Sequence, residues 1–455
     1  MAEGFYELAP AGSRKNIQIE RFGGVDFSAD STQTAYYRAA DALNMTADIR
    51  QIPLKRLGYR KLLQAAVGQP IYGIHVFPKA GGEEYLVHYG SKLSKFSPET
   101  GELGYMLHQL LALQPSSSFT MNGKLYLLDG KEYQVYDGLM MLPVSTYAYR
   151  PTTSIARTEE GVGIAFESRN LLTFWRKNEF IVTDTNKVLY RLDAPIRTGT
   201  ASIKVMTRYP DPPISGSDIP AMPIQENRTS YFTFSAGNNI IKRDATLTLT
   251  KGTIITVEFQ AEITLPAGDT PDINKINSCS RWGLYGGKND TRVFVTGSAV
   301  KPNADYMSGL YDPTYFPADG FCKVGSDISA IQGYLKYQGA QMVLKDGNRM
   351  DSGLFLRSFS FAQSTETVNN QTITRTEPLY GLEQGALGVG ACAPGSLAML
   401  EDAPLFLSEK GVYTIVHHEI TQKSSLLHLS AKIDERLLRE PNLKDAIATV
   451  FDGKY

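Results

Sequence analysis

The stretch with the most suggestive residue types is GGKNDTRVFVTG, which runs from Gly286 to Gly297. A phosphate-binding loop requires Gly-x-x-x-x-Gly-Lys-Ser/Thr between a strand and a helix, because its backbone amides and its lysine surround the phosphates. Here Trp282 occupies the first glycine position and Asn289 the serine or threonine position. The apolar residues that follow are typical of a strand, so the stretch predicts a hairpin turn and no nucleotide site.

The histidines and cysteines show no metal-binding pattern. His417 and His418 are adjacent on a predicted strand, where neighbouring side chains point to opposite faces of the sheet. The remaining histidines show no Glu-x-x-His or His-x-His spacing. The three cysteines are far apart, and no two form a Cys-x-x-Cys pair, which predicts free thiols in a reducing compartment: Cys279, Cys322 and Cys392. We therefore predict no metal and no cofactor.

Motifs for nucleophilic or acid–base catalysis are also missing from the sequence. The adjacent acids Glu83–Glu84 and Glu159–Glu160 are typical of solvated turns, whereas a glycosidase needs two carboxylates that converge in one cleft. No Gly-x-Ser-x-Gly elbow is present, and GALGVGACAPGS departs from the Gly-x-Gly-x-x-Gly pattern of dinucleotide-binding loops. We predict no catalytic residues and expect that the protein is not an enzyme.

Composition favours a protein made of strands and turns. The 455 residues include 25 Tyr, 20 Phe and 40 Gly, and 46 basic residues nearly balance 47 acidic ones. Such a balance gives no overall attraction to nucleic acid or to an anionic membrane. The N-terminus has no signal-peptide pattern, and no apolar run approaches the roughly 18 residues that cross a bilayer. We expect synthesis in a cytoplasm and no membrane association.

A hairpin pattern recurs along the chain. Polar turns alternate with short apolar runs in MNGKLYLLDGKEYQVYDG and EDAPLFLSEKGVYTIV, and a further short strand precedes most copies. The unit returns every ~40 to 60 residues, the period of propeller blades. A single blade cannot bury both of its faces, but blades stacked around an axis bury one another. The sequence predicts an all-β fold, a β-propeller of about six to seven blades.

One interval between hairpins is too long for a blade and predicts an insertion. Residues 1–65 are assigned to an N-terminal arm leading into the first blade, 66–197 to the first part of the propeller, 198–277 to an inserted small β-sandwich-like domain, and 278–455 to the second part of the propeller. The insertion begins with a Pro-rich run, RYPDPPISGSDIPAMPI. A polar segment, STETVNNQTITRTEP, predicts an exposed loop.

The segment SGLYDPTYFPADGF is the most unusual in composition. Aromatic residues alternate with Asp and Pro, and the residues singled out are Tyr311, Asp312, Pro313, Tyr315 and Phe316. Such a loop suits contact with a partner or a sugar, and it equally suits a rigid, packed connection between blades, since aromatic side chains bury large areas. Both interpretations remain open from the sequence.

Several motifs in the right order resemble a family of bacteriophage proteins. The segment from Cys279 to Leu335, with RVFVTG, DPTYFP, VGSD and IQGYL, and the later ALGVGACAPGSLAML and LFLSEKGVYTI, resemble the ring-forming β-propeller proteins of short-tailed phages, known as stabilisation, tail-hub or nozzle proteins. The N-terminal VDFS, DALNM and RLGYRKL resemble their N-terminal arm. Recognisable motifs carry the resemblance over residues 18–65 and 276–450. Between these ranges only the general strand pattern is similar.

The resemblance implies a structural role in the virion tail. Such proteins form rings, usually of six subunits, below the portal and adaptor proteins; they extend the DNA conduit, help to retain the packaged genome and carry fibres or a needle. DNA would pass through the lumen without sequence-specific binding. Two alternatives stay open: a propeller that binds a receptor, and one that binds or cleaves glycans on the host surface.

Overall fold

A computed structural model describes residues 21–30, 32–47, 50–63, 69–109, 111–209, 225–269, 271–287, 289–347, 353–368, 371–418, 423–451 and 453–455. In these residues the N-terminal arm forms a small antiparallel sheet of β1 (Met45–Ala47) and β2 (Pro53–Lys55). The arm contacts the other end of the chain, since the Lys454 ammonium donates to Thr46 Oγ1 and to the Ala47 carbonyl.

The two sheets that follow are four-stranded and antiparallel. Blade 1 contains β3 (Ile71–Lys79), β4 (Gly82–Tyr89), β5 (Lys92–Phe96) and β6 (Leu103–His108). Blade 2 contains β7 (Ser117–Met121), β8 (Lys124–Leu128), β9 (Tyr133–Tyr136) and β10 (Met141–Pro143). The turn between β7 and β8 has positive φ at both Asn122 and Gly123, at 52° and 69°. Asn-Gly is the sequence that favours this hairpin turn, because both residues tolerate the left-handed conformation.

The inserted unit, residues 152–261, forms two sheets in the part of it that the structure describes. Its strands are β11 (Thr152–Arg157), β12 (Ile164–Ala165), β13 (Trp175–Ile181), β14 (Leu189–Arg191), β15 (Lys204–Arg208), β16 (Gln225–Asn227), β17 (Phe232–Phe234), β18 (Ile240–Arg243) and β19 (Ile254–Gln260). Six strands pair in the order β12-β11-β13-β19-β15-β16, and three in the order β14-β18-β17. Apolar residues of both sheets share one core that includes Phe180, Tyr190 and Ile241, as in a sandwich.

The six-stranded sheet includes strands on both sides of position 198, where the sequence placed the start of the insertion. β13 and β15 both pair with β19, so residues 175–181 and 204–208 lie in one sheet. The Pro-rich run of the insertion falls largely outside the described residues. After the unit comes a short helix, α1 (Asp272–Asn277).

Three further four-stranded antiparallel sheets complete the described chain. Blade 3 contains β20 (Arg281–Tyr285), β21 (Arg292–Thr296), β22 (Ala304–Met307) and β23 (Phe321–Lys323). Blade 4 contains β24 (Ile331–Tyr337), β25 (Ala340–Lys345), β26 (Leu354–Val368) and β27 (Gln371–Gln384). Blade 5 contains β28 (Ala398–Leu400), β29 (Ala403–Ser408), β30 (Gly411–His418) and β31 (Lys423–His428), and α2 (Asp434–Leu437) follows it. The predicted fold class, an all-β propeller with an inserted sandwich-like unit, is confirmed. The described residues form five four-stranded blades, whereas the sequence predicted about six to seven.

The first strands of blades 1 to 4 contact one another in order, and the first strand of blade 4 contacts the second strand of blade 5. β3 contacts β7, β7 contacts β20, β20 contacts β24, and β24 contacts β29 of blade 5. Blades 2 and 3 are therefore direct neighbours although the inserted unit separates them in sequence. Glycine permits this close approach: a Cβ on Gly283 would lie 2.6 Å from side-chain atoms of Tyr334, and one on Gly333 would lie 2.5 Å from Leu397.

The sequence predicted an exposed loop for the polar segment STETVNNQTITRTEP, and this prediction is wrong. The segment forms the outer part of a long hairpin. β26 and β27 pair continuously from Phe355↔Gln384 to Val368↔Gln371, whereas β25 pairs with β26 only as far as Arg357. The ribbon beyond blade 4 is two strands wide, and it satisfies its backbone hydrogen bonds internally. Near its base, Phe359 contacts Tyr380 and lies against Gly287 of blade 3.

Candidate functional site

The aromatic loop predicted from SGLYDPTYFPADGF is largely packed. Pro313 and Phe316 are buried, while Tyr311, with φ at +50°, keeps 47% of its surface exposed. The Asp312 carboxylate accepts hydrogen bonds from the Thr314 amide at 2.8 Å and its hydroxyl at 2.6 Å, which closes an Asx turn. The loop is thereby held in one conformation by its own side chains.

The loop, which lies between β22 and β23 of blade 3, also contacts blade 2 and the inserted unit. From blade 2, Tyr133 Oη donates to the Pro313 carbonyl at 3.2 Å. Towards the inserted unit, Tyr315 Oη donates to the Ser168 carbonyl at 2.8 Å, and its ring packs on Tyr149. Burial raises the pKa of Tyr149 to about 12, with a contribution from Glu167. The structure therefore brings four of the five predicted residues into a packed junction and leaves Tyr311 as the accessible one.

Asn170 is a buried hydrogen-bonding centre of this junction, which the sequence did not reveal. Its amide nitrogen donates to the carbonyls of Tyr149 and Thr314, each at 2.8 Å. Its amide oxygen accepts from the backbone N–H groups of Phe316 at 3.0 Å and Leu172 at 3.1 Å. One side chain thus bonds four backbone groups, of which the Thr314 carbonyl also accepts from the Tyr149 N–H at 3.2 Å.

A second network joins blades 1 and 2 through two histidines and two serines. His88 Nε2 lies 3.0 Å from the Gly90 carbonyl, which can only accept, so Nε2 carries the proton. His88 Nδ1 then accepts from Ser116, at 2.8 Å. Ser116 Oγ in turn accepts from His75 Nε2 at 3.0 Å, and His75 Nδ1 accepts from Ser118 at 2.8 Å. The four hydrogen bonds form one chain, in which each group donates to the next: Ser118 to His75, His75 to Ser116, Ser116 to His88, and His88 to the Gly90 carbonyl.

The network holds its histidines neutral and away from solvent. Burial lowers the pKa of His75 to about 4, and the nearby His88 adds to the effect. Burial also lowers the pKa of His88. A serine beside a neutral histidine resembles a nucleophile–base pair, but both histidines are buried. Three of their four ring nitrogens bond to Ser116 or Ser118, and the fourth bonds to the Gly90 carbonyl within blade 1. The arrangement serves blade packing, and no spacing in the sequence could have located it.

A cavity of about 700 Å³ lies where the first strands of blades 2 to 5 meet. Its lining includes Ser116, Trp282, Tyr334 and Gln341. Behind it, Arg357 donates to Gln341 Oε1 at 2.6 Å and to Asp305, and Tyr334 Oη donates to the same carboxylate at 3.1 Å. These contacts tie blade 3 to blade 4 and provide no water-accessible acid–base pair.

The most exposed apolar part of the described chain is the N-terminal arm. Large hydrophobic side chains with more than a third of their surface exposed are Tyr36, Tyr37, Leu43, Met45, Ile52, Leu54, Leu57, Tyr59 and Leu62. Leu57 and Tyr59 are each 89% exposed. The strands β1 and β2 of the arm pair with each other and with no other strand that the structure describes. An apolar surface of this kind marks a site of interaction.

The described residues contain neither a metal-binding cluster nor a helix that could span a membrane. No cluster of three or more His, Cys, Asp or Glu side chains suited to a metal ion occurs in the described ranges. The helices found there are also too short or too polar to span a bilayer. His417 and His418 lie at the end of β30, and Cys279, Cys322 and Cys392 are free thiols.

No family model and no curated protein matches the chain. Solved structures that it matches include Hsv2 of Kluyveromyces lactis, with 11% identity, 79% of this chain and 98% of that chain covered, and a TM-score of 0.20. The extracellular domain of BT4673 from B. thetaiotaomicron matches with 9% identity, 84% of this chain and 57% of that chain covered, and a TM-score of 0.16. TM-scores this low define neither a family nor a function for the chain.

Proposed function

We propose that this protein is a structural subunit of a ring in the tail of a short-tailed bacteriophage. The observation that carries the proposal is the uncovered arm: apolar side chains from Tyr36 to Leu62 are exposed on a segment whose short strands pair only with each other in the described chain. A surface of this size is costly in water and is stable when another subunit covers it. The order of the sequence motifs that resemble phage tail proteins supports this assembly.

A ring follows when the arm of each subunit contacts a different surface of its neighbour. Such a head-to-tail contact is heterologous, and it closes into a ring when its rotation divides the circle. We propose six subunits that surround the path of the DNA below the portal and adaptor proteins and carry fibres or a needle. The protein would help to retain the packaged genome without binding specific sequences and without a catalytic step.

The experiment is a measurement of assembly. The purified protein is analysed by native mass spectrometry and negative-stain imaging, alone and with the adaptor proteins of the same phage. We expect a closed ring with a central hole wide enough for duplex DNA. A chain that stays monomeric in both conditions would contradict the proposal and favour the receptor-binding or glycan-cleaving alternatives, which a glycan-array and cleavage screen would then separate.

A further inference from the structure

The end of the arm combines positive charge with exposed apolar side chains. Residues 50–63, RQIPLKRLGYRKLL, contain five basic residues and no acidic one. Every residue from 51 to 62 is exposed. No described residue forms an ion pair with Lys55 or Arg60. A run of one sign of charge, with leucines and a tyrosine between the charges, selects a partner that offers both negative charge and an apolar surface.

Blade 1 carries a groove with those properties. The groove has a volume of about 850 Å³ and lies along β4, β5 and the turn after β5. Four glutamates line it together with only two lysines, and its apolar lining comes from Phe96, Pro98 and Leu103. Both lysines bind the same carboxylate, because Lys79 and Lys95 each contact Glu84.

The remaining three glutamates of the groove keep their charge available. Glu83, Glu99 and Glu102 are exposed. Glu83 accepts a hydrogen bond from Tyr85 Oη at 2.6 Å, which leaves further lone pairs of that carboxylate for a partner. The groove therefore has a net negative charge beside an apolar floor, and it complements the arm in both respects.

The end of the arm lies close to the groove of its own chain, but the arm does not fill this groove. The Leu62 carbonyl lies against Gly101 at the edge of the groove, where an added Cβ would approach it to 2.4 Å. The preceding arm residues nevertheless remain exposed, and the groove remains open. Since an extended chain gains roughly 3.3 Å per residue, residues 51–62 would span about 40 Å when fully extended.

We propose that residues 50–62 of one copy bind in the acidic groove of blade 1 on the next copy. This inference rests on the proposed ring and identifies its subunit contact. The contact is head-to-tail, because the arm and the groove are different surfaces of the same chain. Duplex DNA would also attract the positive charges, but the exposed leucines of the arm favour the groove, which offers apolar side chains as well as carboxylates.

The test uses charge reversal on each surface of the full chain. The arm variant is K55E/R60E, the groove variant is E99K/E102K, and the control is K204E/K251E, which reverses two exposed charges on the inserted unit. Like charges facing each other at an interface cost several kcal/mol, so each surface variant should weaken self-association by at least about 100-fold, as measured by analytical ultracentrifugation. The control variant should assemble as the wild type does.

Mixing the variants gives the decisive result. The arm variant keeps an intact groove, the groove variant keeps an intact arm, and the reversed arm also matches the reversed groove. An equimolar mixture should therefore assemble into rings in which the two variants alternate. A chain that carries all four reversals should regain the ring. Rings that persist in both surface variants, or a mixture that stays monomeric, would overturn this contact while leaving the ring in place. An arm variant that assembles normally but loses binding to a DNA duplex would assign the arm to DNA and also overturn it. A wild-type chain that never associates would reject the ring and the contact together.

Discussion

Arg357 and Asp305 form an ion pair that joins blade 4 to blade 3, with Nη2 2.5 Å from Oδ2 and each side chain only 1% exposed. The guanidinium also lies over the Phe294 ring, with its central carbon 4.2 Å from the ring centroid. A charge this deeply buried requires its partner, since breaking such a pair leaves the other charge without solvent or counter-charge.

The first prediction concerns this pair. Arg357→Met should lower the free energy of unfolding by about 3 to 5 kcal/mol, because Asp305 keeps its burial and loses its cation. The control is Lys336→Met, which removes an exposed ion pair to Asp290 between the same two blades and should cost less than about 1 kcal/mol. Urea denaturation measures both. Equal losses in the two variants would show that burial does not decide the strength of the contact.

The second prediction concerns acid stability and His75. Its pKa of about 4 in the folded chain is below the 6.5 of an unfolded chain, so the unfolded state binds more protons between these values. The neutral histidine therefore contributes stability above pH 6.5, and this contribution is lost as the pH falls towards 4. Between pH 7 and pH 4.5 the loss is about 2 kcal/mol.

His75→Gln should remove that part of the pH dependence. Urea midpoints measured from pH 7 to pH 4.5 should fall less steeply in the variant than in the wild type. His108→Gln is the control, because His108 is only partly buried and its replacement should change the slope less. A slope that is unchanged in the His75 variant would mean that this histidine titrates normally in the folded chain.

The third prediction concerns the junction around the aromatic loop. Asn170→Ala leaves two carbonyls and two N–H groups without the partner they have in the native chain. We expect a loss of at least about 3 kcal/mol, since each buried group left unsatisfied costs about 1 to 3 kcal/mol. Asn186→Ala, at an exposed turn, should stay within about 0.5 kcal/mol of the wild type. Thermal unfolding compares the two, and a stable Asn170 variant would argue against a structural junction.

The fourth prediction concerns thiol reactivity. Burial raises the pKa of all three thiols, that of Cys392 to about 11, so accessibility decides between them. Cys279 and Cys392 are buried, whereas Cys322 is partly exposed. The folded protein at pH 8 should therefore release one equivalent of thionitrobenzoate from Ellman's reagent quickly and the others slowly, because reaction requires an accessible thiolate. Cys322→Ser should abolish the fast phase. A fast phase that survives this substitution would place another thiol at the surface.

Local sequence signals were sufficient for the hairpins and for the fold class. Asn122-Gly123 predicts a tight turn from two residues, and alternating apolar runs around it predict the paired strands that the structure contains. The same reasoning excludes a phosphate loop near Gly287, because RVFVT forms β21 instead of a helix. These features depend on neighbours within a few positions, where backbone preferences and side-chain alternation act directly.

Prediction was wrong where a strand has no apolar face. The segment STETVNNQTITRTEP is polar at nearly every position, so it shows none of the alternation that marks a half-buried strand, yet its backbone pairs as a two-stranded ribbon. For the basic run of residues 50–63, the sequence shows the positive charges directly. Only the structure shows that these residues are exposed.

The sequence by itself determined an all-β chain of repeated hairpins with an inserted unit, because turn chemistry and apolar alternation are local properties. Only the tertiary structure decided which strands pair across the insertion, and which distant side chains meet. Ser116 and His75 are 41 positions apart, and Asp305 and Arg357 are 52 apart. Such contacts arise from the stacking of whole sheets, whose register and order depend on packing between surfaces that no single segment encodes.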